Sequence, residues 1–228
     1  MLALPDVPTE RALIEWIEAL TRAGQPAYAQ GYQSHVYLYQ GEGRRYIVKA
    51  AAGGGLAGMV RRWMLRREYE AYKRLTNFAG SPRCYGLVDS RFLVLEYIDA
   101  PSLRRGQIDD RRAFFDTLFA QITELHRRGV AHADLKSKDN LFVIGGRIPC
   151  MVDFGAAMMR KPGFAPWNHI IYDLARRLDF NAWAKLKYQG RMEEIAPEDR
   201  PYYRRTAVEK VARAIKRSYA RFKRLVAG

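Results

Sequence analysis

The chain has 228 residues, 48% of them hydrophobic, which is enough for a packed core and excludes a disordered composition. Lys and Arg number 39 against 24 acids, and the formal net charge of +15 favours polyanions: nucleic acid, an anionic membrane face or phosphorylated substrates. There is no apolar run of about 18 residues to make a transmembrane helix, and MLALPDVPTERALIEW lacks a basic leader, so no signal peptide is expected. Cys84 and Cys150 lie far apart and without metal-ligand spacing, which predicts reduced thiols in a cytoplasmic protein.

Thr9 is placed to cap a helix running to about Ala23, with Leu13, Ile14, Ile17 and Leu20 on one face and Gly24 just past its end. HVYLYQGEGRRYIVKA reads as two strands around the turn Gly41-Glu42-Gly43. AAGGGLAGM reads as a flexible connector, followed by a helix from about Val60 to Thr76. RFLVLEYI predicts a buried strand, and DRRAFFDTLFAQITELHRRG a long amphipathic helix that ends at Gly129. NLFVI and PCMVDF predict two short strands joined by a turn at Gly145-Gly146. Beyond Gly155 the chain reads as helical, with Pro162, Pro166, Pro197 and Pro201 marking breaks. The order predicts an α+β molecule: a sheet-rich part over residues 1–98 and a mostly helical part over 99–228. The sequence contains no internal repeat.

Between two of the apolar runs stands GVAHADLKSKDNLFV, which carries His132, Asp134, Lys136 and Asn140. Asp153 follows Asp134 by 19 residues and leaves an apolar strand in VDFG, where Gly155 permits a sharp turn. Upstream, Lys49 ends the strand YIVK. A strand lysine, an H-x-D-L-K loop and an Asp-Phe-Gly in this order resemble the protein-kinase superfamily over residues 28–157. The resemblance implies a two-lobed fold, with a small antiparallel-sheet N-lobe carrying one main helix and a reduced helical C-lobe. It also implies ATP and Mg2+ as the bound groups.

The roles follow from that resemblance. Lys49 would hold the α- and β-phosphates. A helical carboxylate would orient it: Glu68 is the resembling residue, while Glu70 lies about 200° away on the helix. Asp134 would accept the proton of the attacking hydroxyl, and Lys136 would meet the γ-phosphate. Asp153 and Asn140 would supply hard oxygen ligands to Mg2+. The family pattern puts the asparagine five residues after the aspartate, where this chain has Asp139, so Asp139 stands as the alternative ligand. His132 is expected to brace the loop. In AQGYQSHVYLY only Gly31 of the Gly-rich pattern remains, with Ala29 and Ser34 in place of the other glycines and Val36 over the adenine. LVLEYI resembles the interlobe hinge, with Leu95 at the back of the pocket and Glu96 and Ile98 offering backbone groups to adenine.

The chain's Ala-Pro-Glu stands at 196–198, 43 residues after Asp153 and beyond the helical stretch IIYDLARRLDFNAWAKLK, and the segment directly after Gly155 is short, which points away from the peptide platform of ordinary protein kinases. EYEAYKRL, HADLK and DLARRL are similar to small bacterial kinases of lipopolysaccharide core sugars, Kdo or heptose. The expected reaction is transfer of the γ-phosphoryl group of ATP to a sugar hydroxyl at the cytoplasmic face of the inner membrane. A compact serine/threonine protein kinase, bacterial or secreted, and a pseudokinase binding module are the alternatives. A nucleic-acid partner alone would leave the ordered motifs unexplained. RRTAVEKVARAIKRSYARFKRL predicts a basic amphipathic helix, with Val208, Val211, Ile215, Tyr219, Phe222 and Leu225 on one face. Such a helix suits peripheral contact with anionic lipid, a grip on a phosphorylated acceptor, or plain packing on the protein.

Overall fold

The structure is a computed structural model that describes residues 10–22, 29, 30, 35–41, 43–51 and 53–204. Gly31, Ser34 and the basic stretch 205–228 lie outside the described residues. The molecule is α+β, with one five-stranded antiparallel sheet, two two-stranded antiparallel ribbons and four α-helices among the described residues. Helix α1 (Glu10–Arg22) precedes strands β1 (Ala29–Gln30), β2 (His35–Gly41) and β3 (Arg44–Ala50). With β4 (Cys84–Val88) and β5 (Phe92–Glu96) these form a five-stranded sheet in the order β1-β2-β3-β5-β4.

Alternation of side chains gives this sheet two different faces. Tyr46, Val48, Ala50, Phe92 and Val94 pack with Leu13 of α1. The intervening residues Ile47, Leu93 and Leu95 join a larger core with Leu65, Ala71 and Tyr72 of helix α2 (Gly55–Arg74). Lys49 pairs with Leu93 across the sheet, so it shares this second face. The period-2 pattern thus aims a lysine into the side that α2 covers.

Helix α2 begins five residues before the expected Val60, so the last part of the connector is helical. Gly54 is the extended N-cap, and the Gly58 amide donates to the Gly54 carbonyl at 3.1 Å. A methyl group at Gly58 would collide with the Gly53 carbonyl, so glycine here permits a close approach rather than flexibility. Strand β4 is also new. It carries a register shift between Cys84 and Gly86, with Gly86 at φ 148°, and this irregularity hides its pattern.

Helix α3 (Arg111–Arg127) starts at Asp110, whose carboxylate accepts from the Ala113 amide at 3.0 Å. Gly129, at φ 72°, turns the chain out of it. Strand β6 (Val130–Ala131) pairs with β9 (Met158–Met159), and β7 (Leu141–Ile144) pairs with β8 (Ile148–Met151). Strand β8 stops at Met151, so Asp153 lies beyond it rather than in it. The segment after Gly155 is first a strand and only then helical. Pro166 opens α4 (Pro166–Lys187) instead of breaking a helix, because a first-turn proline sacrifices no hydrogen bond. Phe114, Phe115, Leu118 and Ile122 of α3 share their core with Ala182, Trp183 and Leu186 of α4. The buried Trp183 ring donates to the Phe115 carbonyl at 2.7 Å. Among the described residues no helix is long and apolar enough to cross a membrane.

Candidate active site

Three distant side chains meet at the inner face of the sheet. Lys49 Nζ lies 2.7 Å from Glu68 Oε1 and 2.8 Å from Asp153 Oδ1. Glu68 falls on the buried stripe of α2 with Leu65, Ala71 and Tyr72, so helical period alone points it inward. Glu70, off that stripe, pairs instead with Lys73 at 3.2 Å on the surface. The Glu68 side chain is 5% exposed and that of Asp153 53%, so the cluster opens to solvent on the Asp153 side.

Burial opposes the Lys49 charge, yet Glu68 and Asp153 outweigh it and raise the lysine pKa. Burial likewise opposes ionisation of Asp153, but Lys49 wins and holds its pKa below the usual carboxylate range. Glu68 moves the other way, raised by burial and by Asp153 against the pull of Lys49. One ammonium cannot fully compensate two carboxylates, and the better-buried acid bears the cost. The cluster therefore holds a firm cation and a firm anion, Lys49 and Asp153.

Asp153 itself takes the left-handed conformation, φ 65° and ψ 76°, and its carboxylate accepts from the Gly155 amide at 3.4 Å. Phe154 is buried against Tyr72, with ring centroids 5.0 Å apart, and against His132, at 4.7 Å. This packing fixes the turn to α2 and to the 132–140 loop.

That loop is anchored from beneath by Asp179, a fully buried carboxylate of α4. Asp179 Oδ2 accepts from the His132 amide at 2.8 Å and lies 3.0 Å from His126 Nε2, while Oδ1 accepts from the Ala133 amide at 2.8 Å. Ala133 sits at φ 65°, a costly conformation for a residue with a Cβ, and the two amide bonds hold the backbone that leads into it. The His132 ring is buried. Its Nε2 lies 3.0 Å from the Val152 carbonyl, and Nδ1 accepts from the Asp134 amide at 3.4 Å, so this ring ties the loop to the segment bearing Asp153. Asn140 donates through Nδ2 to the Asp134 carboxylate at 3.0 Å and to its carbonyl at 3.1 Å. The Asn140 carbonyl accepts from the Val152 amide at 2.9 Å.

The other expected residues fall as follows. Asp139 is bound to Arg104 at 2.8 Å and to Ser102 at 3.3 Å, which leaves Asn140 as the residue of the two that touches Asp134. Lys136 is exposed and lines a separate cavity. Val36 pairs with Lys49, and Leu95 lies in the same inner core, so both share the Lys49 face of the sheet. The Glu96 amide donates to the Arg83 carbonyl at 2.8 Å, and its carboxylate accepts from the Arg83 amide at 2.9 Å. That amide is therefore not available to a ligand. The Ile98 carbonyl accepts from Ala100 at 3.0 Å. The thiols of Cys84 and Cys150 are pushed up by burial, to about 11 and about 12, so neither is a nucleophile at neutral pH.

Asp179 was absent from the expected set. The signal was present: an acid on the apolar stripe Tyr172, Ala175, Ala182, Trp183 and Leu186 of α4 must find buried donors. Chemically the site offers a fixed cation, an opposed half-exposed carboxylate, and a second carboxylate held by an amide on a braced loop. Among the described residues there is no cluster of three His, Cys, Asp or Glu able to hold a metal unaided. A scan against protein-family models finds no match to the chain, and neither does a search of curated proteins.

Proposed function

We propose that the chain is an ATP- and Mg2+-dependent phosphotransferase with the two-lobed protein-kinase-like architecture, acting on an alcohol. The observation that carries this reading is Lys49 held between Glu68 and Asp153, beside a loop on which Asn140 grips Asp134. Phosphoryl transfer is catalysed largely by positioning and charge compensation. Lys49 supplies a cation for the phosphates of ATP, and Glu68 keeps it extended. Mg2+ takes few protein ligands beside phosphates and water, so Asp153 and the Asn140 amide oxygen suffice without a three-acid cluster. Bound there, the ion would neutralise charge on the phosphate oxygens. Asp134 orients the acceptor hydroxyl and takes its proton as the new oxygen–phosphorus bond forms and the bond to ADP breaks.

The acceptor we propose is a lipopolysaccharide core sugar, Kdo or heptose, at the cytoplasmic face of the inner membrane. The +15 charge supports an anionic acceptor. Few residues lie between the 154–156 turn and α4 at Pro166, too few for a long peptide-docking segment. The test is incubation with labelled ATP and Mg2+ against purified lipopolysaccharide and a panel of proteins. Label in the lipopolysaccharide supports the proposal. Label only in proteins overturns the acceptor, and no transfer or nucleotide binding at all overturns the whole reading.

A further inference from the structure

The cavity that Lys136 lines has no assigned role. It measures about 640 Å3, within the range of small-molecule sites. Among the described residues its wall carries four cations, Arg111, Lys136, Lys138 and Lys185, and no Asp or Glu, while Leu103 and Ile108 contribute apolar surface. Three acids nearby are committed to other cations. Asp139 is bound by Arg104, and Asp116 and Asp199 by Lys187 at 3.2 and 2.7 Å. Arg111 is pinned in place by the last carbonyls of α4, with Nε 3.1 Å from the Lys187 oxygen and NH2 on the Leu186 oxygen. Backbone carbonyls position a guanidinium without cancelling its charge. Neither Lys136 nor Lys138 forms an ion pair among the described residues. Lys136 follows Asp134 by two residues, so their Cα atoms are at most about 8 Å apart.

We infer that this cavity binds a sugar bearing a phosphate or carboxylate, with Arg111, Lys136, Lys138 and Lys185 around the anion and Leu103 and Ile108 against the ring. A wall whose charged side chains, among the described residues, are all cations attracts an anion. The apolar side chains suit the C–H face of a pyranose and not a bare inorganic ion. The location beside Asp134 makes the bound sugar the phosphoryl acceptor, and this last step alone rests on the function proposed above.

The test is calorimetric titration of the full chain with mannose 6-phosphate, glucuronate and neutral mannose, without nucleotide. A parallel arm uses phosphatidylcholine vesicles with and without lipid A, which separates a free sugar phosphate from the same chemistry on a lipid. Binding of an anionic probe and not of mannose is expected. Lys138→Glu and Lys185→Glu should each weaken it about tenfold or more, while Lys138→Arg retains it. Unchanged melting temperatures exclude misfolding as the cause, and if one reversal unfolds the chain the other carries the test. Binding of a non-hydrolysable ATP analogue should be unaltered by these reversals. Lys49→Met should weaken analogue binding at least about tenfold and spare the sugar phosphate. Anionic-sugar binding that survives while no ATP analogue binds would sink the kinase reading and leave this site standing. Equal affinity for mannose and mannose 6-phosphate, or no response to either charge reversal, overturns the inference.

Discussion

Asp179→Asn is the most informative single change, because it preserves shape and removes only charge and one acceptor. The wild-type carboxylate serves three donors from full burial: the His132 and Ala133 amides and His126 Nε2. The least costly amide orientation places the NH2 where Oδ1 was, facing the Ala133 amide. One charge-assisted bond worth about 1.5–3 kcal/mol is then lost, and the remaining two weaken by a few tenths to 1 kcal/mol each. The sum is about 3 kcal/mol, a large share of the ~5–15 kcal/mol that holds a domain together. For a chain of this size that lowers Tm by roughly 6–12 °C. Release of the Ala133 amide also frees a residue held at φ 65°. Hydrogen exchange should therefore quicken at residues 132–134 beyond any global effect. Ala133→Gly, which makes the left-handed conformation cheap, should restore about 1 kcal/mol in the Asp179→Asn background. An Asp179→Asn protein within ~0.5 kcal/mol of wild type by urea denaturation would refute the reasoning, as would unchanged exchange at 132–134.

Lys49→Met should lower affinity for ATP at least about tenfold by titration calorimetry, since Glu68 and Asp153 are left facing phosphate without a cation. Glu68→Gln keeps a hydrogen bond to the lysine and should cost less than Lys49→Met in the same assay. Asp134→Asn should abolish transfer in the labelled-ATP assay and leave nucleotide affinity intact; full activity would remove Asp134 from the proton-accepting role. The Asp153 pKa is lowered below 3.8 in the fold. Its contribution to stability is thus present above pH 3.8 and disappears as pH falls through the folded value. The Tm difference between wild type and Asp153→Asn should accordingly be constant near neutrality and vanish in strong acid; a difference that persists at the lowest pH would contradict the ion pair.

Much of the local structure was legible in residue order. The alternation in YIVK is a two-residue period that sets Lys49 on the face of Ile47 and opposite Val48, while the share of that face taken by Leu93 and Leu95 follows from the strand pairing. The 3.6-residue period of α2 separates Glu68 from Glu70 in the same way. Where the pattern was broken, the reading failed. The glycines ahead of α2 look like a linker because propensity alone disfavours them in a helix, and the steric reason for Gly58 lies in the Gly53 carbonyl beside it. Strand β4 escaped notice because its register shift interrupts the alternation.

Periodicity along the chain therefore determined which side chains share a face, with Lys49 beside Ile47, Glu68 apart from Glu70 and Asp179 on the apolar stripe of α4, while the choice of Glu68 over Glu70 came from the family resemblance. It could not determine what each would meet, because a buried charge takes its partner from elements 19, 46 or 104 residues away. Only the tertiary structure decided that Asn140 rather than Asp139 reaches Asp134, and that Lys136 and Lys138 line a cationic cavity. The physical reason is range. Backbone sterics and hydrophobic period act over a few residues, whereas the cost of an uncompensated buried charge is settled only when distant segments close upon it.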